Sequence, residues 1–358
     1  MRRPTHGGNL AWAAALAGCS PSLILDFSAS INPLGPPKSA IAAIKQALTD
    51  LTAYPDPDYA QLRASLSQFH PTLMPDWILP GNGSAELLTW AARELSELEE
   101  TYLLTPAFSD YQRALEAFGA KVRKYPIDLS GKILERPLPI ATLKPEIQNR
   151  YGLLLNNPHN PSGQLFNREA ILPLVSQFAL VVVDEAFMDF LPSNQQQSLI
   201  SVVQDYPNLV ILRSLTKFYS LPGLRLGYCI AHPDRLRRWQ EWRDPWPVNI
   251  LAAAAATAVV TDTQFQQQTW DWLPKARSQL FQGLALLPGL QPYPSAANFL
   301  LVQSEQPSSQ VLLKLLKHSR ILIRDCLSFP ELGDRFFRVA VRTQAENQRL
   351  LDGLKAIL

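Results

Sequence analysis

The sequence is poor in the features that mark several common classes of protein. It has only three cysteines, Cys19, Cys229 and Cys326, and they lie far apart. This spacing excludes a CxxC motif and gives no even-numbered disulfide framework. Such usage is typical of a reducing compartment, so we expect a cytoplasmic protein. The five histidines are scattered without the spacing of metal ligands, which argues against a metal site.

An excess of charge of one sign is also lacking. The chain carries 33 Lys and Arg against 31 Asp and Glu, a formal net charge of +2, and no basic block stands out. Nucleic acid is therefore not an expected partner. The apolar run ILAAAAATAVV at 250–260 falls well short of the ~20 residues that a membrane-spanning helix needs. We expect no membrane partner, and we interpret this run as a buried helix.

The N-terminal segment has two interpretations. MRRP followed by LAWAAALAGCS resembles a lipoprotein signal, with a basic start, an apolar run and a cysteine. The apolar run is short and rich in alanine, and the polar THGGN separates it from the arginines. An amphipathic helix with Leu10, Ala13, Ala14 and Ala17 on one face explains the same residues, and we favour it.

Apolar runs of strand length alternate with helical patterns through the middle of the chain. YGLLLNNP at 151–158, ALVVVDEA at 179–186 and NLVILRSLTK at 208–217 each end in polar residues. Continuous apolar strands separated by helices predict a mostly parallel sheet that is covered on both faces. In such sheets the functional residues gather beyond the carboxyl ends of the strands.

The pattern changes near residue 245. A long helical region is followed by three short strands with helices beside them, ANFLLVQS, RILIRDC and FFRVAVRT. We therefore predict an α/β fold with a large domain at 40–245. A smaller α+β domain is predicted from 1–39 and 246–358, and its first residues form an N-terminal arm.

Two residues carry the strongest chemical signal, Lys217 in SLTKFYSLPGLRLGY and Asp184 at the end of LVVVD. A lysine in an apolar segment is uncommon, because an ammonium is costly to remove from water. Burial and a nearby cation lower the pKa of a lysine and make its amine nucleophilic. A carboxylate at a strand end can hold a protonated pyridine nitrogen. Taken singly, a surface lysine and a helix-capping aspartate explain these positions as well.

Two further motifs suit a phosphorylated ring. GNGSAE at 81–86 reads as a glycine turn that opens a helix, which favours phosphate binding, although the third glycine of the dinucleotide fingerprint is absent. Ser214, Thr216 and Arg225 could supply further donors to the same phosphate. NNPHNPSG at 156–163 is a loop rich in turn formers, in which one asparagine amide could donate to a phenolic oxygen.

In their order along the chain these motifs resemble the class I/II aminotransferase superfamily of fold-type I pyridoxal-phosphate enzymes. The resemblance covers nearly the whole chain and rests on NPLGPP, YPDP, GNGSAE, TPAFSDY, NNPHNPSG, VDEAFMDF, SLTKFYSLPGLRLGY, ANFLLV, ILIRDC and FRVAVR. It implies pyridoxal 5'-phosphate as the cofactor. It also implies that Lys217 joins the cofactor covalently and that Asp184 faces the pyridine nitrogen.

The same resemblance implies the rest of the site. The further cofactor contacts are Gly83, Ser84, Phe108, Asn160, Ser214, Thr216 and Arg225. Phe108 matches the aromatic ring stacked on the cofactor, and Asn160 the donor to its phenolic oxygen. Tyr54 matches a phosphate ligand that comes from a second subunit, which implies a homodimer. The implied substrate contacts are His6, Gly7, Asn32, Asn160, Arg324 and Arg338.

Within the superfamily, the sequence resembles the threonine-phosphate decarboxylases of cobalamin biosynthesis, with the histidinol-phosphate aminotransferases as near kin. THGGN at 5–9, LDFSASINPLGPP at 25–37 and the phenylalanine of DEAF at 187 favour the decarboxylases. The expected reaction is conversion of L-threonine O-3-phosphate to (R)-1-amino-2-propanol O-2-phosphate. The alternative is transamination of histidinol phosphate with 2-oxoglutarate, and the residues alone do not derive one reaction over the other.

Two other classes are less compatible with the sequence. A non-catalytic binding or regulatory relative would be expected to lose Lys217 or Asp184, and both are present. A nucleophilic hydrolase is disfavoured because the chain has no GxSxG motif.

Overall fold

The computed structural model describes residues 3–129 and 150–358. Its strands fall into three sheets. In chain order they are β1 (Leu25–Asp26), β2 (Ile78–Gly81), β3 (Glu100–Thr105), β4 (Val122–Pro126), β5 (Tyr151–Asn156), β6 (Leu180–Asp184), β7 (Leu209–Ser214), β8 (Gly227–Ala231), β9 (Leu290–Pro292), β10 (Phe299–Ser304), β11 (Ile321–Leu322), β12 (Arg324–Asp325) and β13 (Phe336–Ala340).

Helices cover these sheets. In chain order they are α1 (Leu10–Ala17), α2 (Lys38–Ala47), α3 (Ala60–Phe69), α4 (Ser84–Leu95), α5 (Ser109–Ala117), α6 (Arg168–Val175), α7 (Leu215–Phe218), α8 (Pro233–Trp242), α9 (Ile250–Val259), α10 (Thr263–Ala285), α11 (Ser308–Ser319) and α12 (Gln344–Ile357). Within the two described ranges, none of the helices is long and apolar enough to cross a membrane.

The largest sheet has seven strands in the order β2-β8-β7-β6-β5-β3-β4. Strand β8 runs antiparallel to both of its neighbours, and the other ladders are parallel. Because successive side chains of a strand point to opposite faces, Val181 and Val183 enter one buried cluster and Val182 enters another. The sheet is therefore buried on both faces, which explains why its central strands are continuously apolar.

A four-stranded antiparallel sheet, ordered β12-β13-β10-β9, lies in the C-terminal part of the chain. The predicted strand ILIRDC is divided in two: β11 pairs with β1 near the N-terminus, whereas β12 pairs with β13. Residues of the N-terminal segment thus pair with a strand of the C-terminal region. The α/β fold, with a mostly parallel sheet and a smaller α+β region, is confirmed. The residue limits of the two domains stay a prediction.

Helix α1 matches the helical interpretation of the N-terminal segment. The Asn9 side chain accepts a hydrogen bond from the backbone N–H of Trp12, so Asn9 caps the helix. Ala13 and Ala14 are buried, and Leu10 and Ala17 pack against the same core. The predicted apolar face is therefore the face that the fold buries.

The strand ends bring the predicted residues to one edge of the large sheet. Asn156 pairs in register with Asp184, at the carboxyl ends of β5 and β6. Strand β7 ends at Ser214, and helix α7 begins with the next residue. Lys217 is therefore carried by the first turn after a buried strand, where side chains from adjacent strands converge.

Candidate active site

Asp184 is a buried carboxylate with two donors. Its Oδ2 accepts a 2.7 Å hydrogen bond from the Tyr111 hydroxyl, and its Oδ1 accepts a 2.9 Å bond from the backbone N–H of Ala186. Burial raises the pKa of this carboxyl, whereas the Lys217 ammonium and the two donors oppose the rise. A buried carboxylate needs such partners to stay ionised. The end of β6 can therefore hold a negative charge close to Lys217.

Lys217 lies in a buried environment that favours the neutral amine. Its ammonium donates to Ser214 Oγ over 3.2 Å and lies 5.3 Å from the centre of the Phe187 ring. Burial lowers the pKa of Lys217 to about 8; Asp184 opposes this shift, and Arg225 and Arg338 add to it. The neutral amine is the nucleophilic form of a lysine. The buried amine that the sequence suggested is present, and it is not a solvated surface lysine.

The start of helix α4 and the Arg225 side chain form a site for an anion. Gly83 precedes the helix and has no side chain to cap it, which leaves first-turn N–H groups available. A Cβ on Gly83, whose φ is +76°, would lie 2.6 Å from a terminal guanidinium nitrogen of Arg225. Only glycine lets the cation approach this closely. Backbone N–H groups, a helix N-terminus and a guanidinium together favour phosphate.

The hydroxyls predicted for the phosphate lie on the neighbouring segment. Ser214 Oγ and Thr216 Oγ1 form a 2.8 Å hydrogen bond, and both residues are buried. Next to Ser214, the buried Arg213 forms ion pairs with Glu185 at 3.2 Å and with Asp189 at 2.6 Å. Because Arg213 and Glu185 adjoin Ser214 and Asp184 along the chain, this cluster fixes the two strand ends that carry the site.

Glu86 has a role in the glycine turn that the sequence did not reveal. Its Oε2 accepts a 2.6 Å bond from the backbone N–H of Asn82, and its Oε1 accepts a 2.9 Å bond from Trp90. A glutamate at the third position of a helix can reach back to the backbone N–H groups that precede the helix, and this position was the available signal. Glu86 therefore orders the turn in which Gly83 and Ser84 lie.

Phe108 and Asn160 have contacts that suit their predicted places beside the cofactor ring. Phe108 stands at the start of α5, with its ring centre 5.6 Å from that of Tyr111 and nearly perpendicular to it. The Asn160 side-chain oxygen accepts a hydrogen bond from Arg338. Its amide nitrogen has no partner within residues 3–129 and 150–358, so it remains able to donate to a ligand oxygen.

Arg324 and Arg338 form a pair of buried cations. They face each other across strands β12 and β13. Burial lowers the pKa of both, to about 10 for Arg338, where Arg324 adds to the effect. Throughout the described part of the chain, no carboxylate forms a salt bridge with either, since Asp325 pairs with Arg3 instead. Two like charges opposite each other are destabilising, so the pair indicates a site for an anionic ligand.

The N-terminal arm lies against this pair. The Thr5 carbonyl accepts a hydrogen bond from Arg324, which also donates to Ser328 Oγ over 2.6 Å. The His6 ring centre lies 5.5 Å from that of Phe108. A Cβ on Gly7 would lie 2.3 Å from the Ser28 carbonyl oxygen, so the arm packs too closely for any side chain there. The structure thus brings His6 and Gly7 beside Arg324 and Phe108.

Two predicted residues have contacts of a different kind. The Asn32 amide donates both of its hydrogens within the protein, to the Phe218 carbonyl and to Thr269 Oγ1, each over 2.9 Å. The Asn32 backbone N–H also donates to the Lys217 carbonyl over 3.1 Å, so Asn32 lies beside the lysine, and its contact with the substrate stays a prediction. Tyr54 is 77% exposed and stacks on Trp246 with ring centres 4.4 Å apart. Its contact with the phosphate of a partner subunit stays a prediction.

The side chains present fit pyridoxal phosphate. An amine and a carboxylate come from adjacent strand ends, a phosphate site lies at α4, and the Asn160 amide can still donate. The structure also shows no cluster of side chains suited to a metal ion in the ranges that it describes. These features define a site for a phosphorylated aldehyde cofactor that joins to a lysine.

Comparisons with known proteins give the same class. The family model "Aminotransferase class I and II" matches residues 23–354, so the chain belongs to this family of pyridoxal-phosphate enzymes. It is 39% identical to the threonine-phosphate decarboxylase of Salmonella typhimurium, over 99% of this chain and 96% of that protein. It is 35% identical to the histidinol-phosphate aminotransferase of Symbiobacterium thermophilum, over 91% and 88% of the two chains.

Similarity to a solved structure agrees with this assignment. The crystal structure of the histidinol-phosphate aminotransferase from Clostridium acetobutylicum superposes with a TM-score of 0.84 at 28% identity, covering 93% of this chain and 99% of that one. The two chains therefore share one fold. The fold does not distinguish decarboxylation from transamination, so this distinction depends on the residues of the site.

The protonation of Lys217 leads to a testable pH dependence. We expect apo-protein to take up pyridoxal phosphate faster as the pH rises through about 8, because only the neutral amine attacks the aldehyde. Asp184 raises the pKa of Lys217, so the substitution Asp184→Asn should move this midpoint to lower pH. The measurement is the growth of the visible cofactor band after mixing, from about pH 6 to about pH 10. The exposed Asp271→Asn variant is the control and should keep the wild-type midpoint; an unmoved midpoint in Asp184→Asn would contradict the coupling.

Proposed function

We propose that the protein is a pyridoxal-phosphate-dependent decarboxylase that converts L-threonine O-3-phosphate to (R)-1-amino-2-propanol O-2-phosphate for cobalamin biosynthesis. The observation that carries the proposal is the pair of buried guanidiniums, Arg324 and Arg338, beside the N-terminal arm. Threonine phosphate has two anionic groups, a carboxylate and a phosphate, and two desolvated cations complement them. The similarity to a threonine-phosphate decarboxylase over 99% of this chain, the arm included, supports the same assignment.

The residues of the site have separate roles in the reaction. Bound pyridoxal phosphate supplies an electron sink for the bond that breaks at the substrate Cα. Asp184 holds a proton on the ring nitrogen by its negative charge, and its two donors keep it ionised. Asn160 donates to the phenolic oxygen, and Arg225 with the start of α4 binds the phosphate of the cofactor.

Orientation of the substrate decides which bond breaks. Decarboxylation would require the substrate to be held so that the bond from Cα to the carboxylate, rather than the Cα–H bond, gives its electrons to the bound cofactor. Arg324 and Arg338, held rigidly across two strands, share the substrate carboxylate and phosphate and so set this orientation. The carboxylate would leave as CO2, and the Lys217 ammonium would deliver a proton to Cα and become the neutral amine.

The test uses two substrates in parallel. Purified protein with pyridoxal phosphate and L-threonine O-3-phosphate, without 2-oxoglutarate, should release CO2 and form aminopropanol phosphate in equal amounts. A second reaction contains histidinol phosphate and 2-oxoglutarate. Formation of glutamate there, with no CO2 in the first reaction, would overturn the proposal in favour of the aminotransferase.

The proposal includes a homodimer in the cytoplasm. Tyr54 and Trp246 form an exposed aromatic pair, and the apolar Leu48 and Leu51 are exposed on the nearby segment. A second subunit would cover these side chains and would bring Tyr54 to the phosphate of its neighbour. Sedimentation velocity at micromolar concentration tests the assembly, and a monomer that retains full activity would argue against it.

A further inference from the structure

Tyr111 contacts two of the groups that the proposed function places around the cofactor ring. It is buried in α5, and its hydroxyl donates to Asp184 Oδ2 over 2.7 Å. Its ring packs edge to face against Phe108, with centres 5.6 Å apart and planes at 85°.

The local sequence explains how one side chain reaches both. Phe108 is the residue that precedes the first turn of α5, and Tyr111 follows three positions later, so the two side chains lie on the same side of the helix. Strand β6 ends directly beneath them, and Asp184 points into the same space. Burial, reinforced by the Asp184 charge, raises the pKa of Tyr111 well above its usual value, so the hydroxyl stays a donor.

We propose that Tyr111 is a positioning residue that fixes the Asp184 carboxylate against the ring nitrogen of the cofactor. The inference rests on the proposed function, because it requires Asp184 to face that nitrogen. One donor holds each carboxylate oxygen, Tyr111 on Oδ2 and the Ala186 N–H on Oδ1, so the carboxylate cannot rotate without losing a hydrogen bond. Lys217 is the cation near it, and Asp184 forms no salt bridge elsewhere in residues 3–129 and 150–358.

A purely structural explanation makes a different prediction. A buried tyrosine hydroxyl needs a hydrogen-bond partner, and Asp184 could simply satisfy Tyr111. Loss of the hydroxyl would then lower thermal stability and leave the cofactor untouched. If Tyr111 positions Asp184, loss of the hydroxyl should instead weaken cofactor binding and shift the pH midpoint of the cofactor band. The reason is that the hydroxyl controls the location and charge of the Asp184 carboxylate.

The experiment compares Tyr111→Phe with Tyr228→Phe in the full-length holoenzyme. Tyr228 is also buried and also makes one side-chain hydrogen bond, with His70 over 2.8 Å, so it is a matched control. Tyr111→Phe keeps the edge contact with Phe108 and removes only the hydroxyl. Pyridoxal phosphate should then bind about tenfold more weakly, equivalent to about 1.4 kcal/mol. The value of kcat should fall while KM stays nearly constant.

Two further measurements distinguish the positioning role of Tyr111 from a purely structural one. The pH midpoint of the visible cofactor band should fall in Tyr111→Phe, because loss of the hydroxyl donor raises the pKa of Asp184 and so weakens the negative charge that favours protonation. Tyr111→His, which restores a donor, should recover part of the cofactor affinity. Tyr228→Phe should change only the melting temperature.

The results separate this inference from the proposed function. If wild-type protein binds pyridoxal phosphate and decarboxylates threonine phosphate, but Tyr111→Phe matches it in cofactor affinity and pH midpoint, the positioning role is wrong and the function stands. If wild-type protein binds no pyridoxal phosphate, the proposed function fails and this inference fails with it.

Discussion

Replacing Lys217 with alanine should remove the visible band of bound cofactor and lower kcat for threonine phosphate by on the order of 10⁴. Lys217 Nζ contacts the Ser214 hydroxyl and the Phe187 ring, and neither side chain can replace the amine. Lys217→Arg should be as inactive, since a guanidinium stays protonated and is not nucleophilic. Absorption spectra and stopped-time CO2 assays measure both effects.

The same substitution should not harm the fold. Burial lowers the pKa of Lys217, which shows that the folded state disfavours the ammonium. We therefore expect apo Lys217→Ala to melt at a temperature at least as high as that of apo wild type. The exposed Lys275→Ala variant serves as the control and should keep the spectrum and the activity. A Lys217→Ala protein that retains the band and the activity would exclude Lys217 as the cofactor lysine.

Replacing Arg338 with methionine should lower kcat/KM by about 10³, through KM more than through kcat. Removal of one partner from a buried, hydrogen-bonded charge pair typically costs about 2–5 kcal/mol, and the substitution removes the guanidinium while leaving the substrate anion unpaired. Methionine keeps the apolar contact that Arg338 makes with the Phe299 ring. Steady-state kinetics with threonine phosphate give the two parameters separately.

The thermal stability of the Arg338→Met apo-protein should rise, although its kcat/KM falls. Arg338 is buried next to Arg324 with its pKa lowered to about 10, so without an anion it is a cost to the fold. We expect a higher melting temperature for the apo variant. Arg342→Met is the matched control, because Arg342 is paired with Glu346 at 2.7 Å. Equal losses of kcat/KM in the two variants would contradict a specific anion site at Arg338.

Much of the fold could be predicted because its signals are local. Strands β5, β6 and β7 are buried on both faces and therefore appear as uninterrupted apolar runs that end in polar residues. The polar residues at those ends, Asp184 and Ser214, identified the edge of the sheet at which the site forms. Helix α1 was recognised by the spacing of its alanines.

The antiparallel strand β8 and the division of ILIRDC could not be predicted in this way. Leu322 and Arg324 are two residues apart, yet they belong to strands in different sheets. Apolar periodicity reports that a segment is buried and does not report which strand lies beside it. Asn32 illustrates the same limit, since its partners Phe218 and Thr269 are far along the chain.

The sequence by itself determined the kind of chemistry: a lysine and an aspartate at the ends of buried strands, a glycine turn before a helix, and an order of motifs that matches one enzyme family. Only the tertiary structure decided the electrostatics of the site. The Tyr111–Asp184 bond joins residues 73 positions apart, and the Arg338–Asn160 bond joins residues 178 positions apart. Propensity and periodicity act over a few residues. Burial and long-range pairing instead set the pKa of Lys217, and they leave Arg324 and Arg338 without a carboxylate partner among the described residues.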